Sequence, residues 1–133
     1  METLAVKAVL DTHAAIWATA GDARLGRAAQ AFLQTLKTQE AAISDICLLE
    51  IAMLVKKRRI HISVPLPQYL DALAGIFRVL PISSEIASTA MALSLREGDP
   101  FDRVIAATAV HTRLPLITKD GKLRKLKELT TLW

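Results

Sequence analysis

Four acids stand where a chain of this pattern can use them for chemistry: Asp11, Glu50, Asp102 and Asp120. Asp11 and Asp120 fall at the carboxyl ends of predicted strands, and Glu50 and Asp102 fall on the inward faces of predicted helices. Each has a plain structural explanation. Asp11 can cap a helix, Asp120 belongs to an Asp-Gly turn, Glu50 can pair with an arginine, and Asp102 can serve as a capping-box acid. Capping does not, however, require four acids to face one strand-end crevice. Convergent carboxylates without a local Cys or His cluster suit a hard cation with oxygen ligands, Mg2+ or Mn2+, rather than zinc. The chemistry natural to such a site is phosphodiester hydrolysis, with an activated water and a stabilised leaving oxygen.

The stretch from Gly98 to Ala109 carries the clearest signal. Pro100 fits the first helical position, which makes Asp99 the N-cap and Asp102 the third residue of the helix. Ile105, Ala106 and Ala109 follow at helical spacing, so Asp102 shares the face that packs inward. An acid on the rim of an apolar face needs a partner. Helix N–H groups, an arginine and a metal ion are the candidates.

The elements that must position these acids follow from the hydrophobic pattern. Ala5 to Leu10 predicts a strand, and Asp11-Thr12 lead into a short helix ended by Gly21. Leu25, Ala29, Phe32, Leu33 and Leu36 predict a second helix, and Ala41 to Ile43 a second strand. Ser44 or Asp45 caps a third helix whose inward stripe is Ile46, Leu49, Met53 and Leu54, with Glu50 inside it. Pro65 and Pro67 precede a fourth helix with Tyr69, Leu70, Leu73, Ile76 and Phe77 inward. Arg78 to Ile82 reads as an edge strand because of Pro81. Ser83 or Ser84 opens a fifth helix running to Gly98, and the Asp99-capped helix runs from Pro100 to about Thr112. Leu114 to Thr118 is the next strand. A short basic helix follows, and Leu129 to Trp133 can add an edge strand. This alternation predicts one α/β domain over residues 1–133, with helices on a central, mostly parallel sheet. Ligands of such sheets bind beyond the carboxyl ends of the strands.

Bulk properties narrow the class. At 133 residues the chain has room for one core. Its composition is 52% hydrophobic and only 5% aromatic, so the core is mostly Leu, Ile, Val and Ala. A lone Cys47 in an apolar run excludes a disulfide framework and reads as a small core residue. Charges within Met1 to Leu10 leave no signal-peptide core, and the run from Ile46 to Val55 is too short to span a bilayer, so a soluble cytoplasmic protein is expected. The net charge is +4, from 17 Lys and Arg against 13 Asp and Glu. The excess clusters in Lys56-Lys57-Arg58-Arg59 and through Lys119, Lys122, Arg124, Lys125 and Lys127. Either cluster alone fits a solvated helix end; together they lean toward nucleic acid. His13 lies near the rim of the crevice, while His61 and His111 read as surface. Thr12 and Thr118 flank two of the acids, where they can bond a carboxylate, a water or a phosphate or simply make turns.

Val9-Leu10-Asp11-Thr12, Leu49-Glu50-Ile51-Ala52, Asp99 to Ala107 and Leu116-Ile117-Thr118-Lys119-Asp120, in this order, resemble the PIN domain, and within it the VapC-type toxins of toxin–antitoxin systems. The resemblance spans essentially the whole chain. It implies a three-layer α/β/α fold and a metal-dependent ribonuclease with Asp11, Glu50 and Asp102 as ligands and Asp120 as a fourth, more variable one. It further implies a homodimer and neutralisation by a small VapB-type antitoxin laid over the site. Asp99 is assigned to the helix cap. Two other classes compete. A phosphoacceptor receiver domain needs an acidic pair after its first strand, whereas Asp11 stands alone before Thr12. A non-catalytic RNA- or partner-binding module of the same fold has no reason to crowd like charges.

Overall fold

Ala8, Val9 and Leu10 are completely buried and form β1 (Ala8–Leu10), the middle strand of a five-stranded sheet. A strand apolar at every position fits a sheet covered on both faces. The computed structural model describes residues 5–95 and 99–133. Along the chain, β1 is followed by α1 (Thr12–Ala20), α2 (Arg27–Gln34), β2 (Ala41–Ser44), α3 (Ile46–Lys56) and α4 (Leu66–Ile76). Then come β3 (Arg78–Leu80), α5 (Ser84–Ala92), α6 (Pro100–Thr112), β4 (Leu116–Ile117), α7 (Gly121–Arg124) and β5 (Thr131–Leu132). All pairings are parallel and the strand order is β3-β2-β1-β4-β5, giving a three-layer α/β/α sandwich. The register sets Val9 against Leu116 and Leu10 against Ile117, so the carboxyl ends of β1 and β4 lie side by side. The Asp11 N–H continues that ladder to the Ile117 carbonyl at 3.1 Å.

Local signals act as their chemistry dictates. Gly21 ends α1 in the left-handed region at φ 63°, where glycine meets no Cβ penalty. The Ser83 hydroxyl accepts the Ile86 N–H at 3.1 Å and starts α5. Ser44 rather than Asp45 serves the start of α3, since its hydroxyl accepts the Ile46 N–H while Asp45 reaches across to the Ile82 N–H. β3, next to Pro81, is an edge strand. α6 is the buried helix, closed from Val104 to Ala109, and packs on β1 and β2 as well as against α5 and α3.

Three expectations are corrected. Ile76, the last residue of α4, was expected to face inward and is 45% exposed, while Leu73 and Phe77 carry the buried face. Leu49 does not face inward but is 57% exposed, and α3 buries Cys47 and Ile51 instead. Because α3 is apolar nearly all round, sequence spacing leaves its rotation open and packing against the sheet fixes it. The fifth helix ends at Ala92, where Leu93 turns extended at ψ 147°; Gly98, its expected end, lies outside the described residues, as do Met1 to Leu4. Among the described residues no helix is long and apolar enough to cross a membrane.

Candidate active site

Asp11 follows β1 and caps α1, its Oδ1 accepting the Ala14 N–H at 2.9 Å. Asp120 lies three residues beyond β4 and caps α7, its Oδ1 accepting the N–H groups of Lys122 at 2.8 Å and Leu123 at 3.3 Å. Asp99 caps α6, its Oδ1 accepting the Asp102 N–H at 2.8 Å, which places Asp102 in the first turn. Glu50 projects from α3. Asp11, Glu50, Asp102 and Asp120 all line one cleft of about 210 Å³ at the carboxyl edge of the sheet, together with Thr12, His13, Trp17, Ile105, Lys119 and Trp133.

Hydroxyls tie the acids in place. Thr12, 2% exposed, donates to a Glu50 carboxylate oxygen. Thr118, fully buried, accepts the Asp120 N–H at 3.1 Å, and its hydroxyl also favours the charged form of Asp11. Both threonines thus belong to the site's scaffold.

The electrostatics are one-sided. Burial pushes the carboxyl of Asp11 above its ordinary range, against the pull of Thr118 and the Ala14 N–H. Burial likewise raises Glu50, countered chiefly by Thr12. Asp102 is pushed up to about 7, first by burial and then by the charges of Asp99, Asp120, Glu50 and Asp11. Among the described residues no donor reaches the Asp102 carboxylate. The neighbouring Arg103 is not its partner either, because that guanidinium donates to the carbonyls of Ala90 at 3.0 Å and Leu95 at 2.5 Å and fastens α5 to α6. The ion pairs among the described residues, Lys7 with Glu40 and Arg24 with Asp22, involve none of these acids. Cys47 contributes no thiolate, since burial pushes its thiol up to about 12.

The carboxylates ring the cleft without touching: among the described residues no group of three or more Asp, Glu, His or Cys side chains closes into a ligand cluster. Three of the four acids have turned to nearby donors, Asp11 and Asp120 to their own helices and Glu50 to Thr12, whereas among the described residues Asp102 has none. The donor set nonetheless fits a hard divalent cation. Its atoms are carboxylate oxygens, they lack cationic partners among the described residues, and their mutual repulsion calls for positive charge between them.

A sequence profile of the PIN domain matches residues 8–129. The chain belongs to the PIN domain family. Over 117 residues, 87% of this chain and 88% of the relative, the PIN domain described here is 38% identical to ribonuclease VapC22 of Mycobacterium tuberculosis. It also resembles a chain of a toxin–antitoxin complex from Klebsiella pneumoniae, with a TM-score of 0.66 and 29% identity over 94% of this chain and 97% of that one. The fold is shared with a chain of VapBC2 from Rickettsia felis bound to a promoter DNA fragment, at a TM-score of 0.71 and 19% identity over 96% and 99% of the two chains.

Sequence reasoning overlooked part of this PIN domain's cleft. Trp17, Trp133, Ile105 and Lys119 line it; in the sequence Ile105 reads only as part of the inward face of α6 and Lys119 only as a member of a basic cluster, and neither tryptophan stands out. A signal was present for Trp17, which lies one helical turn beyond His13 and therefore on the same face of α1. Their rings are 5.5 Å apart. His61 and His111 are exposed, as read.

Proposed function

We propose that this PIN domain is a metal-dependent endoribonuclease and the toxin of a type II toxin–antitoxin pair. The observation that carries the reading is the ring of carboxylates from β1, α3, α6 and α7 around one cleft, with no cationic partner among the described residues. The likeness to ribonuclease VapC22 supports RNA as the substrate. Asp11, Glu50, Asp102 and Asp120 would hold Mg2+ or Mn2+. Bound there, the cation supplies an activated water and charge neutralisation at the leaving oxygen of a phosphodiester. Thr12 and Thr118 hold Glu50 and Asp11 in orientation, as hydroxyls behind a ligand shell do. Lys119, exposed at the mouth, meets the incoming phosphate.

Likeness to a toxin–antitoxin complex supports a VapB-type antitoxin as partner, and we propose a homodimer working in the cytoplasm. The test is cleavage of a defined RNA by purified protein, with chelator, with Mg2+ and with Mn2+, beside Asp102→Asn. Cleavage restored by either metal and abolished in the variant is the expected result. Binding without cleavage under every condition overturns the nuclease reading in favour of a binding module.

A further inference from the structure

Part of the cleft lining is aromatic. Trp17 and Trp133 both line it, both are half-buried, and their ring centroids are 5.8 Å apart with planes at 63°. Edge-on contact leaves the indoles unstacked on each other. Trp17 already holds cations over its ring, Arg24 at 5.0 Å and Lys119 at 5.9 Å. Arg24 is itself aimed by Asp22, which accepts from its Nε at 3.1 Å and its Nη2 at 2.8 Å. Trp17 is therefore a brace, and Trp133 is the indole left to receive a ligand.

Gly26 supports this assignment independently. A Cβ at that position would stand 2.5 Å from the Trp133 carbonyl carbon and 2.7 Å from its ring. Gly26 is also the N-cap of α2, where Ser, Thr, Asp or Asn would bond the first turn, and no side chain caps that helix. The chain thus has a residue without capping ability where Trp133 needs room to approach.

We propose that Trp133, braced by Trp17, is a base-stacking residue: the nucleobase adjoining the phosphate that a cation bound at the acids would hold stacks on its indole. The inference rests on the reading of the cleft as an RNA-cleaving site. Every nucleobase presents a π-face, so the contact positions the strand whatever its sequence. Lys119, at the same mouth and over Trp17, places a cation beside the adjoining phosphate.

The chain has just two tryptophans, so its indole emission arises entirely from this lining. The experiment titrates the protein in Mg2+ with a short single-stranded, hydrolysis-resistant 2′-O-methyl phosphorothioate oligoribonucleotide and, separately, with the same backbone lacking bases. The expected result is saturable quenching by the first and not by the second. With divalent metal, Trp133→Leu should raise KM roughly tenfold with kcat nearly unchanged, Trp133→Phe should recover most of the loss, and Gly26→Ala should raise KM by displacing Trp133. Equal quenching by the two oligomers, quenching by neither, or an unchanged KM in Trp133→Leu overturns the proposal. The readouts separate the two readings. Base-dependent quenching in a protein that cuts no RNA with either metal sinks the nuclease reading alone, while cleavage without base-dependent quenching sinks the stacking alone.

Discussion

The Thr12 hydroxyl donates to the Glu50 carboxylate and so links the first residue of α1 to α3, 38 positions along the chain. It is the main influence opposing the upward push of burial on Glu50. Thr12→Val keeps the β-branched shape and removes the donor. The acid limb of the pH–rate profile should then move to higher pH, because Glu50 would hold its proton longer, and the rate at neutral pH should fall roughly 10- to 100-fold. A profile that keeps its acid limb in place would detach Thr12 from the chemistry.

Asp102 gives the metal-free protein an unusual stability profile. Its carboxyl titrates near 3.8 in the unfolded chain and is pushed up to about 7 in the fold, so the folded state binds the extra proton between these values. Stability in chelator should therefore fall as pH rises from about 4 to about 7 and level off above, the reverse of an acid held by a salt bridge. Asp102→Asn should flatten that slope and melt higher than the parent above pH 7. Melting temperature measured across this range in both proteins checks it.

Divalent metal should act in the opposite sense. A cation that binds the folded state alone, at about 100 times its dissociation constant, adds roughly 2.7 kcal/mol. The parent should show this as a rise in melting temperature with Mg2+ or Mn2+, and Asp102→Asn should gain less. Equal gains would remove Asp102 from the ion site.

Much of this architecture is readable in the sequence because it rests on local chemistry. Asp99 before Pro100, Ser83 before α5 and Gly21 after α1 act at their positions regardless of what packs around them. The four acids are legible for a related reason: strand ends and first helical turns of a parallel sheet share one edge, so acids placed there converge. Leu49 was misread because an apolar helix has no face of its own until a neighbour chooses one. Trp133 was invisible as a site residue because its place beside Trp17 depends on β5 pairing with β4, a contact that no local pattern encodes.

Asp99 makes two contributions that substitution can separate. Asn at this position still accepts the Asp102 N–H, so Asp99→Asn should keep the helix cap while removing the neighbouring charge that most raises Asp102. Its acid limb should shift to lower pH with little change in melting. Asp99→Ala should lose about 1 kcal/mol of stability from the cap in addition. A full loss of cleavage in Asp99→Asn would move Asp99 from cap to ligand.

The two basic clusters should differ in their effect on RNA binding. α3 starts at the carboxyl edge of β2 and runs away from it, so Lys56, its last residue, stands about 9 Å beyond Glu50 along the helix, and Lys57 to Arg59 follow the helix end. Lys119 lines the cleft and Lys122 opens α7 beside it. Neutralising Lys119 and Lys122 together should lower the slope of log affinity against log salt by about 1.4, whereas neutralising Lys56 to Arg59 should change it little. Equal slopes in the two variants would show that RNA follows a path not set by the cleft.

The position of β1 between β2 and β4 bears on the order in which the molecule comes together. β2 reaches β1 after a short excursion of the chain, but β4 joins it only after the intervening helices are made, with Leu116 finding Val9. Contacts so far apart in sequence form late, because a long loop must close before they are rewarded. That closing step brings Asp120 up to Asp11 and seats β5 with Trp133. β1, β2 and β3 by themselves thus carry neither the full charge conflict nor the aromatic lining, and the proposed site is complete only when β4 and β5 join the sheet.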